Sequence, residues 1–188
     1  METKEEAVEE RADGERIGEA YELDARLTVI GRMLRTGDQA PDFALDSLDP
    51  ADATMRMVTL ADSAGMVRLL NVVNSLDTPV CHVETHQWEA RRGELPDTVR
   101  VYTISMDLPY AQARWQNAEG VAHQALSAHK SEQFGRDYGV LIREWRLLQR
   151  AVFVIGSDDR IVYAEYVADQ MKEPDYIAAL DAARSAAR

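Results

Sequence analysis

The feature that most constrains this chain is a nearly uninterrupted apolar run, VRLLNVV at residues 67–73, followed by the polar, turn-prone stretch NSLDTPVC. Only Arg68 and Asn71 interrupt the run, which is typical of a strand buried on both faces. The stretch after it predicts a helix, because Thr78 is a good N-cap residue and Pro79 suits the first helical position. A strand buried on both faces needs a layer on each side, and this favours an α/β fold.

The rest of the chain predicts strands and helices in alternation, closed by a strand hairpin and a helix. The predicted elements are a short N-terminal hairpin and loop (21–43), an extended piece (55–65), a second buried strand (98–105), a helix ending at Gly120 (108–120), a helical turn or two (131–140), a hairpin (150–156 and 160–167) around SDD, and an amphipathic helix (173–188). We therefore predict a mixed central sheet with helices on both faces and an N-terminal β-hairpin, which is the layout of a thioredoxin-like fold.

Composition excludes some classes of function. The chain has 188 residues, enough for one domain with a substantial core, and a formal net charge of −12, which argues against binding to nucleic acid. No apolar stretch approaches the ~20 residues needed to span a bilayer, so we expect no membrane association. The N-terminus lacks the apolar core of a signal peptide, and a single cysteine agrees with a reducing compartment, so we predict a cytoplasmic protein.

The charge is concentrated at the N-terminus. Residues 1–20 contain eight Asp or Glu against three Lys or Arg, and few large apolar side chains. Such a segment cannot bury enough apolar surface to order itself. We predict that residues 1–20 form an acidic, disordered or frayed tail, and that residues 21–188 form the domain.

The only cysteine, Cys81, falls at the third position of the helix that Thr78 caps. In that place the Thr78 hydroxyl can accept a hydrogen bond from the Cys81 backbone N–H. Free N–H groups and the helix dipole favour negative charge in a first turn, and this favours a reactive thiolate. The alternative is a small buried hydrophobe, since free cysteine is among the most buried residue types. The local pattern leaves both open.

The segment DTPVC after a buried strand resembles the T-x-x-C signature of peroxiredoxins, and it fits best the bacterial thiol peroxidase branch, the atypical two-cysteine type. The resemblance runs through roughly residues 25 to 185, and five further segments are similar to that family in the same order and spacing. They are GDQAPDF (37–43), ISMDLPYAQARWQNAEG (104–120), YGVLI (138–142), RAVFVIGSDDRIVY (150–163) and EPDYIAAL (173–180).

The resemblance implies a cysteine-based peroxidase. Cys81 would be the peroxidatic thiolate that attacks the O–O bond of hydrogen peroxide or an organic hydroperoxide. Thr78 would hold the thiolate and the peroxide through its hydroxyl. The arginine of the family's active site matches Arg150, whose permanently charged fork of donors would stabilise both the thiolate and the leaving oxygen. The family also forms homodimers, which implies a second copy of this chain as a partner.

Two positions depart from the family pattern. Asn74 stands where the family usually has a proline, four residues before the threonine, and it adds polar atoms and flexibility. Gln116 stands where the second helix of the family carries its resolving cysteine. Glutamine cannot attack a sulfenic acid. An external thiol, either a small molecule or a thioredoxin-like protein, would have to resolve oxidised Cys81. The alternative function is a slow or non-catalytic redox-sensing or binding module.

Other motifs are weaker. HVETH places His82 and His86 one helical turn apart, and histidines at that spacing can chelate a metal. The sequence offers no third ligand, so a solvated helix face is favoured, and we predict neither a metal nor a cofactor. Trp88 falls on the helical face of Cys81 and is expected in the core or a pocket wall. Trp115 and Tyr110 are expected to line a pocket or a dimer surface.

Overall fold

The computed structural model describes the backbone of residues 9–10 and the whole of residues 14–49 and 51–188. The strands are β1 (Glu9–Glu10), β2 (Glu15–Glu22), β3 (Ala25–Ile30), β4 (Ala44–Leu48), β5 (Met55–Thr59), β6 (Val67–Val72), β7 (Val99–Ser105), β8 (Gln124–Ser127), β9 (Leu141–Ile142), β10 (Leu147–Leu148), β11 (Ala151–Ile155) and β12 (Ile161–Tyr166). The helices are α1 (Pro79–Arg91), α2 (Pro109–Glu119), α3 (Gln133–Asp137) and α4 (Tyr176–Ala186). None of these helices is both long and apolar enough to cross a membrane.

The central sheet has seven strands in the order β12-β11-β6-β7-β8-β4-β5. Strands β6, β7 and β8 run parallel, and α1 and α2 connect them, as the sequence predicts for the first crossover. The closing pair β11 and β12 is antiparallel, and β11 also pairs antiparallel with β6, so the predicted hairpin and mixed sheet are confirmed. This arrangement brings the C-terminal end of β6 beside the start of β11.

Both faces of the sheet are covered, and β6 is therefore buried along its whole length. Val67 and Leu69 face a cluster that includes Trp88 of α1 and the apolar side of α4. Leu70 and Val72 face the opposite cluster, to which α3 contributes Phe134. The predicted thioredoxin-like layout, with helices on both faces, is confirmed.

The N-terminal hairpin lies earlier in the chain than predicted. It is formed by β2 and β3, and it belongs to a second, five-stranded sheet in the order β1-β2-β3-β9-β10. Strand β2 includes residues 15–20, which the sequence assigned to the acidic tail. The pairing with β3 and the burial of Arg16 and Ala20 order them despite the high charge of the segment. Residues 1–8 and 11–13 of the predicted tail lie outside the described residues.

Strands β4 and β8 are absent from the sequence prediction. Both are short, and β8 (Gln124–Ser127) contains two polar residues among four. Ser47 of β4 donates a hydrogen bond to the Ala125 carbonyl at 3.0 Å, and Asp46 pairs with Ser127. A strand is predicted from its pattern of apolar residues. Polar side chains whose hydrogen-bond partners lie on neighbouring strands add nothing to that pattern, so the sequence does not predict β4 and β8.

Candidate active site

The site is built around the first turn of α1. Thr78 is the N-cap residue with extended backbone geometry, and Pro79 occupies the first turn, as predicted. Strand β6 therefore ends, after a short loop, in a helix whose free N–H groups surround its third residue, Cys81. The thiol lies at the C-terminal edge of the parallel strands, where open α/β sheets place their sites.

The predicted capping hydrogen bond is wrong. The Thr78 side chain makes no cap hydrogen bond, and its hydroxyl instead donates to the Ser75 carbonyl at 2.9 Å. The loop before the helix explains this difference. Asp107 accepts hydrogen bonds from the Ser75 hydroxyl at 2.7 Å and the Leu76 backbone N–H at 2.9 Å, and this holds the Ser75 carbonyl beside Thr78. The N-cap position was predictable from the sequence, but the direction of the hydroxyl was not.

Cys81 is fully buried, with 0% of its surface exposed. It packs in a small apolar cluster whose other members come from the loop before α1 and from the end of α2: Val73, Leu76, Trp115 and Val121. A reagent must therefore displace part of this cover before it reaches the sulfur. The burial agrees with the alternative of a small buried residue, and the reactivity of the thiol stays a prediction.

Arg150 reaches the thiol from the position just before β11. Its Nη1 donates to Cys81 Sγ at 3.4 Å and to a carboxylate oxygen of Glu84, and its Nη2 donates to the Gln170 carbonyl at 2.9 Å. Although burial acts to lower it, the charges of Glu84 and Cys81 hold the pKa of Arg150 above its ordinary value. The structure thus brings together two residues that are 69 positions apart in the sequence.

Glu84 is a further residue of this site, for which the sequence indicates only a carboxylate close to Cys81. It lies one helical turn after Cys81, is 0% exposed, and pairs with Arg150. Burial raises the pKa of Glu84 to about 8, and the nearby Arg150 guanidinium opposes that rise. Its spacing of three residues from Cys81 on a predicted helix was the one signal available, because such residues share a face.

Asn74 and Gln170 complete the polar shell. The Asn74 amide nitrogen donates to the Leu148 carbonyl at 2.6 Å and to Gln170 Oε1 at 3.1 Å. These bonds fix the orientation of the amide, so that Asn74 Oδ1 faces the thiol and accepts from Cys81 Sγ at 3.8 Å. The same Gln170 oxygen accepts from the Arg150 backbone N–H at 2.9 Å. Nothing in the sequence around Gln170 indicated this role.

Gln116 lies on α2 near the thiol cluster, directly after Trp115. It is buried, and its amide donates to the His123 carbonyl at 2.7 Å. His123 in turn contacts Glu89 of α1, at 2.7 Å from Nδ1 to Oε2. The histidine contact holds the pKa of Glu89 well below its usual range, at about 2. Gln116 is therefore an anchored part of the packing between the two helices.

The predicted aromatic residues occupy different environments. Trp88 is 1% exposed and lies in the core, where its indole N–H donates to Asn71 at 2.9 Å, as expected of a core residue. Trp115 is buried against Cys81. Tyr110 is 66% exposed at the start of α2, and its predicted place in a pocket or a dimer surface stays a prediction.

Comparisons with known proteins agree with the geometry. The family described as AhpC/TSA matches residues 36–164. A thiol peroxidase of Halalkalibacterium halodurans is 44% identical over 161 residues, which cover 85% of this chain and 93% of that protein. A thiol peroxidase of Bacillus subtilis is 41% identical over 160 residues, which cover 85% of this chain and 92% of that protein.

Solved structures give the same result. A peroxiredoxin-like protein from Aquifex aeolicus superimposes with a TM-score of 0.78 at 26% identity, covering 90% of this chain and 98% of that one. A thiol peroxidase from Chromobacterium violaceum has a TM-score of 0.75 at 23% identity, covering 85% and 91%, and supports the fold. The chain belongs to the AhpC/TSA family of peroxiredoxins, and its relatives of 41–44% identity are thiol peroxidases.

Proposed function

We propose that this chain is a thiol peroxidase that reduces hydrogen peroxide or organic hydroperoxides through Cys81 alone. The observation that carries the proposal is the contact between Arg150 Nη1 and the buried Cys81 Sγ at 3.4 Å, in the first turn of a helix. A fixed positive charge and free backbone N–H groups both favour the thiolate, which is the nucleophilic form of cysteine.

The first chemical step transfers two electrons from sulfur to the peroxide. The Cys81 thiolate attacks the terminal oxygen, the S–O bond forms as the O–O bond breaks, and the leaving alkoxide or hydroxide takes a proton from solvent. Arg150 stabilises the charge that develops on the leaving oxygen, since its donors already point at the sulfur. The product is Cys81 sulfenic acid and an alcohol or water.

Thr78 contributes its hydroxyl at the mouth of the site. In the resting arrangement this hydroxyl donates to the Ser75 carbonyl at 2.9 Å. To donate to the thiolate or to a peroxide oxygen it has to give up that hydrogen bond, and this exchange ties that step to a local rearrangement of the loop from Ser75 to Thr78. Thr78, Cys81 and Arg150 are the catalytic residues of the proposal.

An external thiol completes the cycle. The sequence has a single cysteine, so no second thiol in the chain can capture the sulfenic acid. A thiol of a thioredoxin-like protein or a small molecule attacks the oxidised sulfur, releases water and forms a mixed disulfide. A second thiol then releases the disulfide product and returns reduced Cys81. The protein is proposed to work in the cytoplasm and to form a homodimer.

One observation favours a second candidate, a slow redox-sensing module. Asn74 Oδ1 faces the thiol and accepts from it, and an acceptor in that place stabilises the neutral thiol against the thiolate. It therefore opposes the effect of Arg150. The complete burial of Cys81 also slows any reagent.

Stopped-flow oxidation separates the two candidates. Reduced protein is mixed with peroxide, and the intrinsic fluorescence is followed, because Trp115 packs against Cys81. The peroxidase proposal requires a rate that is first order in peroxide and turnover that depends on an added thiol. Oxidation no faster than that of a free cysteine would favour the sensing module.

A further inference from the structure

The contact between α1 and α2 brings three metal-binding side chains together on its outer side. His82 and His86 stand one turn apart on α1, and Glu119 is the last residue of α2. The Nε2 atoms of His82 and His86 lie 3.8 Å and 3.1 Å from the same oxygen of Glu119, and all the ligand atoms lie within 4.8 Å of one another. The third ligand is not apparent from the sequence, because Glu119 is 33 residues beyond His86.

The donor set suits a zinc-class cation. Two imidazoles and a carboxylate are a common zinc set, and with Zn–N and Zn–O lengths of about 2.1 Å the ligand atoms stand roughly 3.4 Å apart. The observed separations from Glu119 bracket that value, and the side chains are 35–40% exposed, so they can adjust to a bound ion and leave a coordination position for water. Magnesium prefers oxygen ligands and is a poor match.

The carboxylate is not used elsewhere in the part of the chain that the structure describes. There, Glu119 makes no ion pair with Lys or Arg, and its polar contacts are the two imidazoles. The imidazole rings also pack against each other, with centroids 4.7 Å apart. The Glu119 carboxylate and the two histidine rings stand at the spacing of metal ligands. A divalent cation can therefore bind between them with little rearrangement.

We propose that His82, His86 and Glu119 bind Zn²⁺, and that the bound ion links α1 to α2 beside the residues that cover the thiol. His82 directly follows Cys81, and both histidine rings lie 5.5 Å from the Trp115 ring, which belongs to the cover of Cys81. Because Cys81 is fully buried, a reagent reaches it only when this cover opens. An ion that bridges the two helices resists that opening and slows every reaction of the thiol.

Binding is tested on the full chain after removal of metals with a chelator. Calorimetric titration with Zn²⁺ is expected to give one site per chain, with no comparable heat from Mg²⁺. His86→Ala and Glu119→Gln are expected to weaken binding by about ten-fold or more, since each removes one of three ligands. His129→Ala, a half-buried histidine outside the cluster, is the matched control and is expected to bind as the wild type does.

Cys81→Ser is the second control, because a thiolate is itself a zinc ligand. Retained binding in this variant supports the histidine–glutamate site, whereas its loss means that zinc binds at the thiol and overturns the proposal. Equal binding by wild type and Glu119→Gln also overturns it. These measurements do not depend on peroxidase activity.

The effect of the ion on access to Cys81 is tested by alkylation with iodoacetamide, which needs access to the thiol but no peroxide. Saturating Zn²⁺ is expected to slow alkylation several-fold in the wild type and to leave the Glu119→Gln rate unchanged. If Zn²⁺ also slows alkylation of Glu119→Gln, or binds the wild type without slowing its alkylation, the proposed link between α1 and α2 is wrong. A failure of the peroxidase proposal would leave both outcomes measurable.

Discussion

The first turn of α1 and the last turns of α2 lie against each other, yet their polar side chains are engaged in different ways. In α1, Cys81 shares the Arg150 guanidinium with the buried carboxyl of Glu84. In α2, Gln116, which the sequence resemblance matches to the family's resolving cysteine, donates a hydrogen bond to the His123 carbonyl.

The thiol and Gln116 have different hydrogen-bond partners, Arg150 and Asn74 for the thiol and the His123 carbonyl for Gln116, so a change at Gln116 is expected to leave the partners of the thiol in place. Arg150, which contacts the thiol, and Glu84, which pairs with Arg150, come from the position just before β11 and from α1. Four substitutions, at Cys81, Arg150, Gln116 and Glu84, test this comparison one residue at a time.

The largest effect is expected from Cys81→Ser. Serine is nearly isosteric, and the side chain is one member of a small cluster, so the fold is expected to persist with a modest loss of stability. Peroxide consumption should fall to the uncatalysed rate, because no other thiol exists in the chain. A peroxide assay together with thermal unfolding checks this. Activity retained by a folded variant would exclude a cysteine mechanism.

The next effect is expected from Arg150→Met. Loss of a charged donor at the reacting centre should slow oxidation of Cys81 about 100-fold or more. Arg68→Met is the matched control, because Arg68 is also fully buried but donates to the Gly156 carbonyl at 3.0 Å and pairs with Asp159, away from the thiol. The control should lose stability and keep its oxidation rate. Equal slowing in both variants would assign the effect to loss of folding.

A smaller effect is expected from Gln116→Cys, which restores a thiol on α2. One equivalent of peroxide should leave a trappable sulfenic acid in the wild type and an intramolecular disulfide in the variant. The two side chains come from neighbouring parts of one contact, but disulfide geometry requires Cα atoms within about 7 Å, so the anchored helix has to move. Mass spectrometry distinguishes the products.

Asn117→Cys is the control for this exchange. It places a thiol on the next residue of α2, which is exposed, and it should leave the sulfenic acid free to react with the trapping reagent. Disulfide formation in both variants would mean that the whole segment unfolds on oxidation. Its absence in both would mean that α2 is too firmly held to resolve Cys81.

The smallest effect is expected from Glu84→Gln and appears as a pH dependence of stability. Burial raises the folded-state pKa of Glu84 from 4.5 to about 8, so the folded chain keeps a proton that the unfolded chain has lost between those values. The contribution of Glu84 to stability is therefore complete below pH 4.5 and declines as the pH rises towards 8. Glutamine cannot ionise.

The stability of Glu84→Gln relative to the wild type should thus rise over that pH window by an amount on the order of a few kcal/mol. Chemical unfolding at several pH values measures the difference. Glu94→Gln, at an exposed carboxyl, should track the wild type at every pH. If the stability of Glu84→Gln instead follows that of the wild type at every pH, Glu84 stays ionised beside Arg150.

Much of the fold follows from local patterns. The apolar run at residues 67–73, the hairpin around SDD and the glycine at position 120 predict elements that the structure contains, including a left-handed Gly120 at the end of α2 with φ of 67°. The same patterns place Cys81 at the third position of α1. The short polar strands β4 and β8 were missed because their side chains bond to neighbouring strands, which no local pattern reports.

The sequence by itself determined that this chain has one thiol, in the first turn of a helix after a buried strand, and no second thiol to resolve it. Only the tertiary structure decided what surrounds that thiol. Arg150 and the end of α2 reach Cys81 through strand order and helix packing, and Gln170 bonds to Arg150 and Asn74. Asn74 turns its oxygen towards the sulfur because other groups hold its nitrogen. Local propensity acts within a few residues, whereas the two contacts of Gln170 join segments 20 and 96 positions apart.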